Sequence, residues 1–305
     1  MAIETTKAPP PSRLSGLTES RGFLSLWFML PAAVFLICFL TYPLGLGVWL
    51  GFTDARIGRT GVFIGLENYQ QILADPVFWR AFTNNLIYAA GTIPLSVGLA
   101  MLMAVLVNDR FPGRTFARMA FFTPTVLPMI AVANIWLFFF TPQYGLLEQV
   151  TGAFGLPSRN WLGSPDTALL VVTIVAIWKQ AGFFMIFYLA ALQSIPPVLA
   201  EAASLEGASR WTYFRRVQFP LLMPTTLFVL INTVINAFHM IDQVIVMTRG
   251  GPDNASTLVL FYIYQTGFAF WDTSYAAALT VVLLAILGVL AAVQYGVLER
   301  RVHYR

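Results

Sequence analysis

Residues 195–220 read IPPVLAEAASLEGASRWTYFRRVQFP, a segment with three arginines and two glutamates that separates two long apolar stretches. Pro196 and Pro197 suit the start of a helix, and the run that follows them is rich in good helix formers. Gly207 stands where a helix would end in a left-handed turn. The pattern therefore predicts a short surface helix, followed by a second amphipathic helix around Trp211–Val217.

The chain around this segment is apolar enough to require a membrane. Of its 305 residues 58% are hydrophobic and 10% charged, against roughly 25% charged in a soluble domain, and the mean hydropathy is +0.72. A membrane-spanning helix needs about 20 apolar residues. Six stretches qualify: Phe23–Phe52, Asn84–Val107, Met119–Phe140, Thr167–Leu192, Pro220–Met247 and Ser274–Leu298. The sequence predicts an all-α integral membrane protein with six transmembrane helices, its one domain at 23–298 and short tails at 1–22 and 299–305.

The basic residues predict the orientation of the six spans. With an even number of spans both chain ends share one side, and that side holds twelve of the 18 Lys and Arg residues. Five lie on the other side, and Lys179 falls within the fourth span. Because cytoplasmic loops carry the excess of positive charge, we expect both termini and residues 195–220 in the cytoplasm. The charges are spread thinly, so nucleic acid is not an expected partner.

Residue types that carry most catalytic and metal chemistry are scarce. The single cysteine, Cys38, cannot form an internal disulfide, and the two histidines, His239 and His303, are far apart in sequence. There is no Gly-x-x-x-x-Gly-Lys loop, Gly-x-Ser-x-Gly elbow or H-E-x-x-H helix. We therefore expect no catalytic residue, no metal site and no cofactor in this chain, and a transport role rather than an enzymatic one.

The segment 195–220 resembles the "EAA" loop of binding-protein-dependent ABC importer permeases. Glu201-Ala202-Ala203 is followed after three residues by Gly207, and an apolar-Pro pair comes later; the usual Asp before the glycine is Glu206 here. Further segments resemble the maltose-type branch, which imports sugars, polyols and glycerol phosphates: 65–69, 75–79, 84–86 and 248–252. The tripeptide 178–180 and the C-terminal residues 299–305 look like those of glycerol-3-phosphate permeases.

This resemblance implies the type I permease fold of ABC importers, in the bacterial inner membrane. The helix in the loop would be a coupling helix that docks on a cytoplasmic ATPase dimer, which binds the ATP and Mg. The resemblance also implies two other partners. One is a related second permease, with which the chain would form a heterodimer, and the other is an extracytoplasmic solute-binding protein. The residues implied in coupling are Glu201, Ala202, Ala203, Leu205, Glu206, Gly207 and Ala208.

Polar residues within the fourth and fifth spans are candidates for contact with a substrate, because ionisable groups in a membrane are costly and usually functional. Asn232, Asn236, His239 and Gln243 follow the spacing i, i+4, i+7, i+11 and would share one helix face. Interhelical hydrogen bonding is the alternative for this stripe, and a structural ion pair or a snorkelling side chain is the alternative for the lysine. The expected substrate-binding set is Lys179, Gln180, Phe183, Asn232, Asn236, His239 and Gln243.

Three functions remain open at this point. The favoured one is a permease subunit that forms half of the pathway for a sugar, sugar derivative or polyol. The second is the same kind of importer acting on glycerol-3-phosphate or another anionic polyol derivative. The third is an ion-coupled secondary transporter, which would not explain the segment 195–220.

Overall fold

The computed structural model of the chain describes residues 21–56, 58–109, 111–155 and 157–298. The predicted tails lie almost entirely outside these residues, since only Arg21 and Gly22 of residues 1–22, and none of 299–305, are described. No named strand occurs in the described part of the chain, which holds two isolated β-bridges. Its α-helices are α1 (Arg21–Leu36), α2 (Tyr42–Leu50), α3 (Glu67–Ala74), α4 (Pro76–Asn108), α5 (Arg114–Val126), α6 (Met129–Phe140), α7 (Leu146–Ala153), α8 (Pro165–Gln193), α9 (Pro197–Leu205), α10 (Arg210–Tyr213), α11 (Phe219–Leu221), α12 (Met223–His239), α13 (Asp242–Met247), α14 (Val259–Tyr264) and α15 (Thr273–Leu298).

The helices confirm the predicted fold class. Five of the described segments are long and apolar enough to cross a membrane: Trp27–Leu50, Pro76–Asn108, Pro165–Gln193, Met223–Met247 and Thr273–Gln294. A sixth span is completed if α5 and α6 are counted together. The first span contains a π-helical turn at Ile37–Thr41 between α1 and α2.

The third predicted span, Met119–Phe140, requires a correction. The structure has two helices there, α5 and α6, with their axes bent by 104°. The break lies at Leu127, which is extended (φ −75°, ψ 138°), and Pro128 precedes the first turn of α6. A proline disfavours helical backbone at the residue before it and has no N–H to continue the ladder. Leu127 and Pro128 therefore turn one apolar stretch into two arms.

The centre of the membrane domain is the pair α4 and α8, which share the most extensive helix contact in the described chain. Ala81 and Tyr88 of α4 and Val172 and Ala176 of α8 belong to one buried cluster, which α12 joins through Ala237. Small residues at such contacts let helix backbones approach closely, which is how helices associate in a bilayer. The span Trp27–Leu50, in contrast, has no fully buried residue in its described part, and it meets the rest of the chain through contacts of α2 with α15.

Asp75 fixes the end of this core at which α4 begins. Its Oδ1 accepts a hydrogen bond from the Val77 N–H (2.8 Å) and so caps α4. Its Oδ2 accepts hydrogen bonds from the hydroxyls of Tyr262 (2.5 Å) and Tyr275 (2.7 Å). Burial acts to raise the pKa of Asp75, but these hydrogen bonds outweigh it and hold the pKa below its ordinary value. The carboxylate thus joins α4, α14 and α15.

Candidate functional site

The predicted surface helix is α9, and its two ends form as the sequence indicates. The Pro pair opens it, with Pro197 in the first turn. At the other end Gly207 has φ +70°, and its N–H donates to the Ser204 carbonyl (3.1 Å). The Ala208 N–H reaches back to the Ala203 carbonyl (2.9 Å), which closes the helix in the way that glycine-terminated helices do.

Most of α9 projects away from the rest of the chain. Leu205 is 89% exposed and Val198 67%, which is unusual for apolar side chains on one short surface helix. Glu201, Ala202, Glu206 and Gly207 are also exposed, whereas Ala203 and Ala208 are half-buried. All seven residues predicted for coupling therefore lie in one continuous feature that a second protein could contact.

The segment after α9 is attached to the end of α4. Ser209 caps α10 by accepting a hydrogen bond from the Thr212 N–H (3.2 Å). Arg210 forms an exposed ion pair with Asp109 (3.0 Å), just beyond α4. Trp211 and Phe214 line, with α4, an apolar cavity of about 470 Å³. The loop is therefore anchored at its base while α9 stays exposed.

The polar stripe of the fifth predicted span is interrupted. α12 ends at His239, and Met240 and Ile241 leave the helical conformation before α13 begins. Asn232 and Asn236 are half-buried and His239 is exposed, so these three lie on an accessible face of α12. Asn232 donates to the Phe228 carbonyl of its own helix (2.8 Å), and no hydrogen bond of Asn236 is found among the described residues.

The two glutamines of the predicted set lie in the protein interior. Gln243 is fully buried, and its Nε2 donates to the Tyr88 hydroxyl of α4 (2.9 Å). Gln180 is 5% exposed, and neither its amide oxygen nor its amide nitrogen has a partner in the described chain. In the chain as described, neither glutamine shares the accessible face that carries Asn232, Asn236 and His239.

Lys179 and Phe183 are more accessible. Phe183 is 45% exposed and packs edge-on against Phe184 and Phe187. Lys179 is half-buried, and its ammonium donates to the carbonyl of Leu127 (2.5 Å), at the bend between α5 and α6. The sequence offered three interpretations of this lysine, namely substrate contact, a structural pair with a carboxylate and a snorkelling side chain. None of them anticipated a backbone carbonyl as its partner.

Asn84 and Asn85 hold neighbouring segments of the core together through side-chain hydrogen bonds. The Asn84 amide donates to the carbonyls of Asn254 (2.8 Å) and Thr257 (3.0 Å). The Asn85 amide donates to the Ala237 carbonyl (3.2 Å), and its oxygen accepts from the Val259 N–H (3.3 Å). Sequence reasoning missed the roles of Asp75 and Tyr88; the Asp-Pro start of α4 was the available signal for the first, and no signal indicated the second.

Among the described residues, no group of three His, Cys, Asp or Glu side chains could hold a metal ion. The described residues therefore form a membrane core with an exposed surface helix, α9, an accessible polar face on α12 and a bent third span.

Comparison with known proteins gives a consistent result. Residues 96–304 match the family described as "Binding-protein-dependent transport system inner membrane component". The probable ABC transporter permease protein YurN of Bacillus subtilis is 34% identical over 88% of this chain and 93% of its own length. The sulfoquinovosyl glycerol transport system permease protein SmoG of Agrobacterium fabrum is 31% identical over 91% of each chain.

A solved structure has the same fold. It is a bacterial alginate ABC transporter in complex with an alginate pentasaccharide-bound periplasmic protein, and one of its chains superposes with a TM-score of 0.83. The match covers 95% of this chain and 98% of that one at 23% identity, which supports the fold alone.

Proposed function

The chain belongs to the family of binding-protein-dependent transport system inner membrane components, and on this premise we propose that it forms half of the import pathway for a sugar, sugar derivative or polyol. The family consists of transport subunits, so the chain is a permease and not an enzyme. This membership also removes the ion-coupled secondary transporter from consideration. The observation that carries the proposal further is α9, a capped surface helix that exposes Leu205 and both glutamates of the loop.

In this proposal α9 docks on a cytoplasmic ATPase dimer, which binds ATP and Mg. Both chain ends then lie in the cytoplasm, in line with the division of basic residues. A second, related permease completes the pathway, and a solute-binding protein delivers the substrate from outside. Closure of the ATPase dimer moves α9, and the pathway alternates between two orientations because ATP binds the two states with different affinity.

The docking proposal is tested by ATPase retention on the purified, complete transporter. Glu201→Ala removes an exposed carboxylate, and Gly207→Pro fixes φ near −65° at a residue that requires +70°. Both should reduce ATPase retention and ATP-dependent uptake. Glu67→Ala, which removes an exposed carboxylate from α3, is the matched control for ATPase retention. Unchanged retention and uptake in both variants would show that α9 is not the docking element.

For the substrate face, we propose direct contact through Asn232, Asn236 and His239, with Phe183 as an aromatic surface for a sugar ring. Gln180 and Gln243 would contact the substrate only if the pathway opens between α8, α12 and α4. Asn236→Ala should raise the KM for uptake. Asn134→Ala is its control, because Asn134 is an exposed asparagine that bonds only to its own helix, at the Ile130 carbonyl (2.8 Å). Equal KM values for the two variants would remove Asn236 from the proposed site.

An anionic polyol derivative, such as glycerol-3-phosphate, is the second candidate. The half-buried cation of Lys179 within α8, and relatives named as permeases for sulfoquinovosyl glycerol and sn-glycerol-3-phosphate, favour this option. Uptake of a neutral sugar and polyol panel, measured beside glycerol-3-phosphate and a sulfosugar glycoside, separates the two candidates.

A further inference from the structure

The bend between α5 and α6 leaves a backbone carbonyl without a helical partner. Leu127 is extended, and its carbonyl accepts no backbone hydrogen bond in the described chain. Pro128 contributes no N–H. A free carbonyl is costly within a membrane unless another group satisfies it. The ammonium of Lys179 is that group, at 2.5 Å.

The helix that carries Lys179 also contacts both arms of the bend. On the α5 side Gly182, one turn further along α8, lies directly against the carbonyl of Phe121, where a side chain could not fit. On the α6 side Trp178 makes an edge-to-face contact with Trp136, with ring centroids 5.4 Å apart. Lys179 lies between these two contacts in the sequence of α8 and reaches the corner itself. The bend is therefore seated on α8, with the ammonium at its apex.

A second helix break lies beside the first. α13 packs against α6, and it begins with Asp242 directly after the break at Met240 and Ile241. The negative charge of Asp242 attracts the ammonium of Lys179, although the two side chains form no ion pair in the described part of the chain. An acidic residue nearby offsets part of the cost of placing a cation within a span.

We propose that Lys179 is a positioning residue, which sets the angle between α5 and α6 by donating its ammonium to the Leu127 carbonyl. This role does not depend on the identity of the substrate, and it holds whether or not α12 forms the substrate site. It predicts that loss of the ammonium changes the arrangement of the third span even when no substrate is present.

The decisive measurement is the distance between spin labels on the two arms, at the exposed positions Thr115 and Phe138, in the purified transporter made free of other cysteines, including Cys38. Without added substrate, Lys179→Met should shift or broaden the distance distribution. Lys179→Arg should preserve most of it, since a guanidinium can also donate to a carbonyl. Arg80→Met, which removes a cation from the outer end of α4, should leave it unchanged. If the distance distribution of Lys179→Met were identical to that of the transporter with lysine at this position, the proposal would be overturned.

Transport kinetics separate this role from substrate contact. A positioning residue should lower the maximal uptake rate about tenfold while KM changes less than about twofold, whereas loss of a uniform substrate contact raises KM with the rate retained. A raised KM at an unchanged maximal rate would overturn the proposal in favour of substrate contact.

Chemical rescue covers the case in which Lys179→Met fails to assemble. Lys179→Cys, in a background with Cys38→Ser, can be treated with 2-bromoethylamine, which converts the cysteine into an ammonium side chain of nearly the length of lysine. Uptake should recover after this treatment and not after alkylation with neutral iodoacetamide. Equal uptake after the two reagents would contradict a requirement for the ammonium.

Discussion

Replacing Asp75 by Asn is expected to destabilise the end of the membrane core at which α4 begins by about 1–2 kcal/mol. Asn keeps an acceptor for the Val77 N–H, so the cap of α4 survives. The two hydrogen bonds from Tyr262 and Tyr275 lose their charged acceptor. A hydrogen bond to a charged group contributes about 1.5–3 kcal/mol and a neutral one about 0.5–1.5 kcal/mol, so each bond should weaken by roughly 1 kcal/mol. Partial exposure of the carboxylate reduces the sum.

The assay is thermal unfolding of the purified transporter in one detergent. The control is Asp253→Asn, which replaces an exposed acid in the loop between α13 and α14. At pH 7 the midpoint of Asp75→Asn should fall by roughly 2–8 °C, taking about 2–4 °C per kcal/mol, and the control should not move. Tyr262→Phe should lower the midpoint less in the Asp75→Asn background than in the native one, because the two groups interact.

The difference in unfolding midpoint between the native protein and Asp75→Asn should depend on pH, because the pKa of Asp75 is lowered in the folded state. A carboxyl whose pKa is lower in the folded state stabilises that state above the unfolded-state value of about 4, and the contribution disappears as pH falls through the folded-state pKa. The gap between native and Asp75→Asn proteins should therefore be constant from about pH 5 to 8 and shrink in acid. Equal midpoints at pH 7 would refute the assigned role of the carboxylate.

Two further substitutions test how the spans pack. Gly182→Ala places a methyl group against the Phe121 carbonyl and should lower the midpoint by an amount equivalent to about 1–3 kcal/mol. Its control, Gly91→Ala, adds a methyl group 3.2 Å from Thr173 Cγ2 and should lower the midpoint clearly less. Equal midpoints for the two variants would argue against the α5–α8 contact. Asn85→Leu leaves the Ala237 carbonyl and the Val259 N–H without partners in the core and should cost about 2–4 kcal/mol in the same assay, and an unchanged midpoint would show that these bonds do not stabilise the fold.

Local chemistry made the surface helix predictable from the sequence. A Pro pair, a run of helix formers and a glycine specify the start, the body and the end of α9, and no distant residue is needed to form it. The observed φ of +70° at Gly207 is the value that the sequence pattern requires. The six apolar stretches were equally readable, because span length and hydropathy follow from the thickness of the bilayer.

The bend at Pro128 was not predictable in the same way. Pro31, Pro94 and Pro124 lie inside α1, α4 and α5 without ending them. Which proline breaks a helix depends on whether neighbouring groups satisfy the freed carbonyl, and here the donor, Lys179, is 52 residues away along the chain. The mean hydropathy of a sequence window does not show where a helix bends, so Met119–Phe140 was predicted as one continuous span.

The polar stripe shows the same limit for the candidate site. The spacing i, i+4, i+7, i+11 places four side chains on one face only if the helix is continuous. Asn232, Asn236 and His239 satisfy that condition within α12, and Gln243 does not, because the chain leaves the helix at Met240. Gln243 instead meets Tyr88, a pairing across 155 residues that no local pattern encodes.

The short connection between α9 and α8 would allow a movement of α9 to be transmitted to the membrane core, as the coupling proposal requires. α8 ends at Gln193 and α9 begins at Pro197, so few residues separate the exposed helix from the span that carries Lys179. The Ser194 and Ile195 N–H groups still donate to carbonyls of the last turn of α8, and Pro196 restricts the backbone before α9. A displacement of α9 therefore acts on a stiff joint rather than on a flexible linker.

In the coupling proposal, a displacement of α9 would be transmitted to the bent third span through contacts of α8 with α5 and α6. α8 holds α5 at Gly182 and α6 at Trp178, and Lys179 holds the corner between them. Two helices bent at a proline can change their mutual angle at lower cost than a straight span, because no intrahelical hydrogen bond crosses the break. The unbroken pair α4 and α8 is the rigid part of the domain, and the arms seated on it are the elements that a pull on α9 would rearrange.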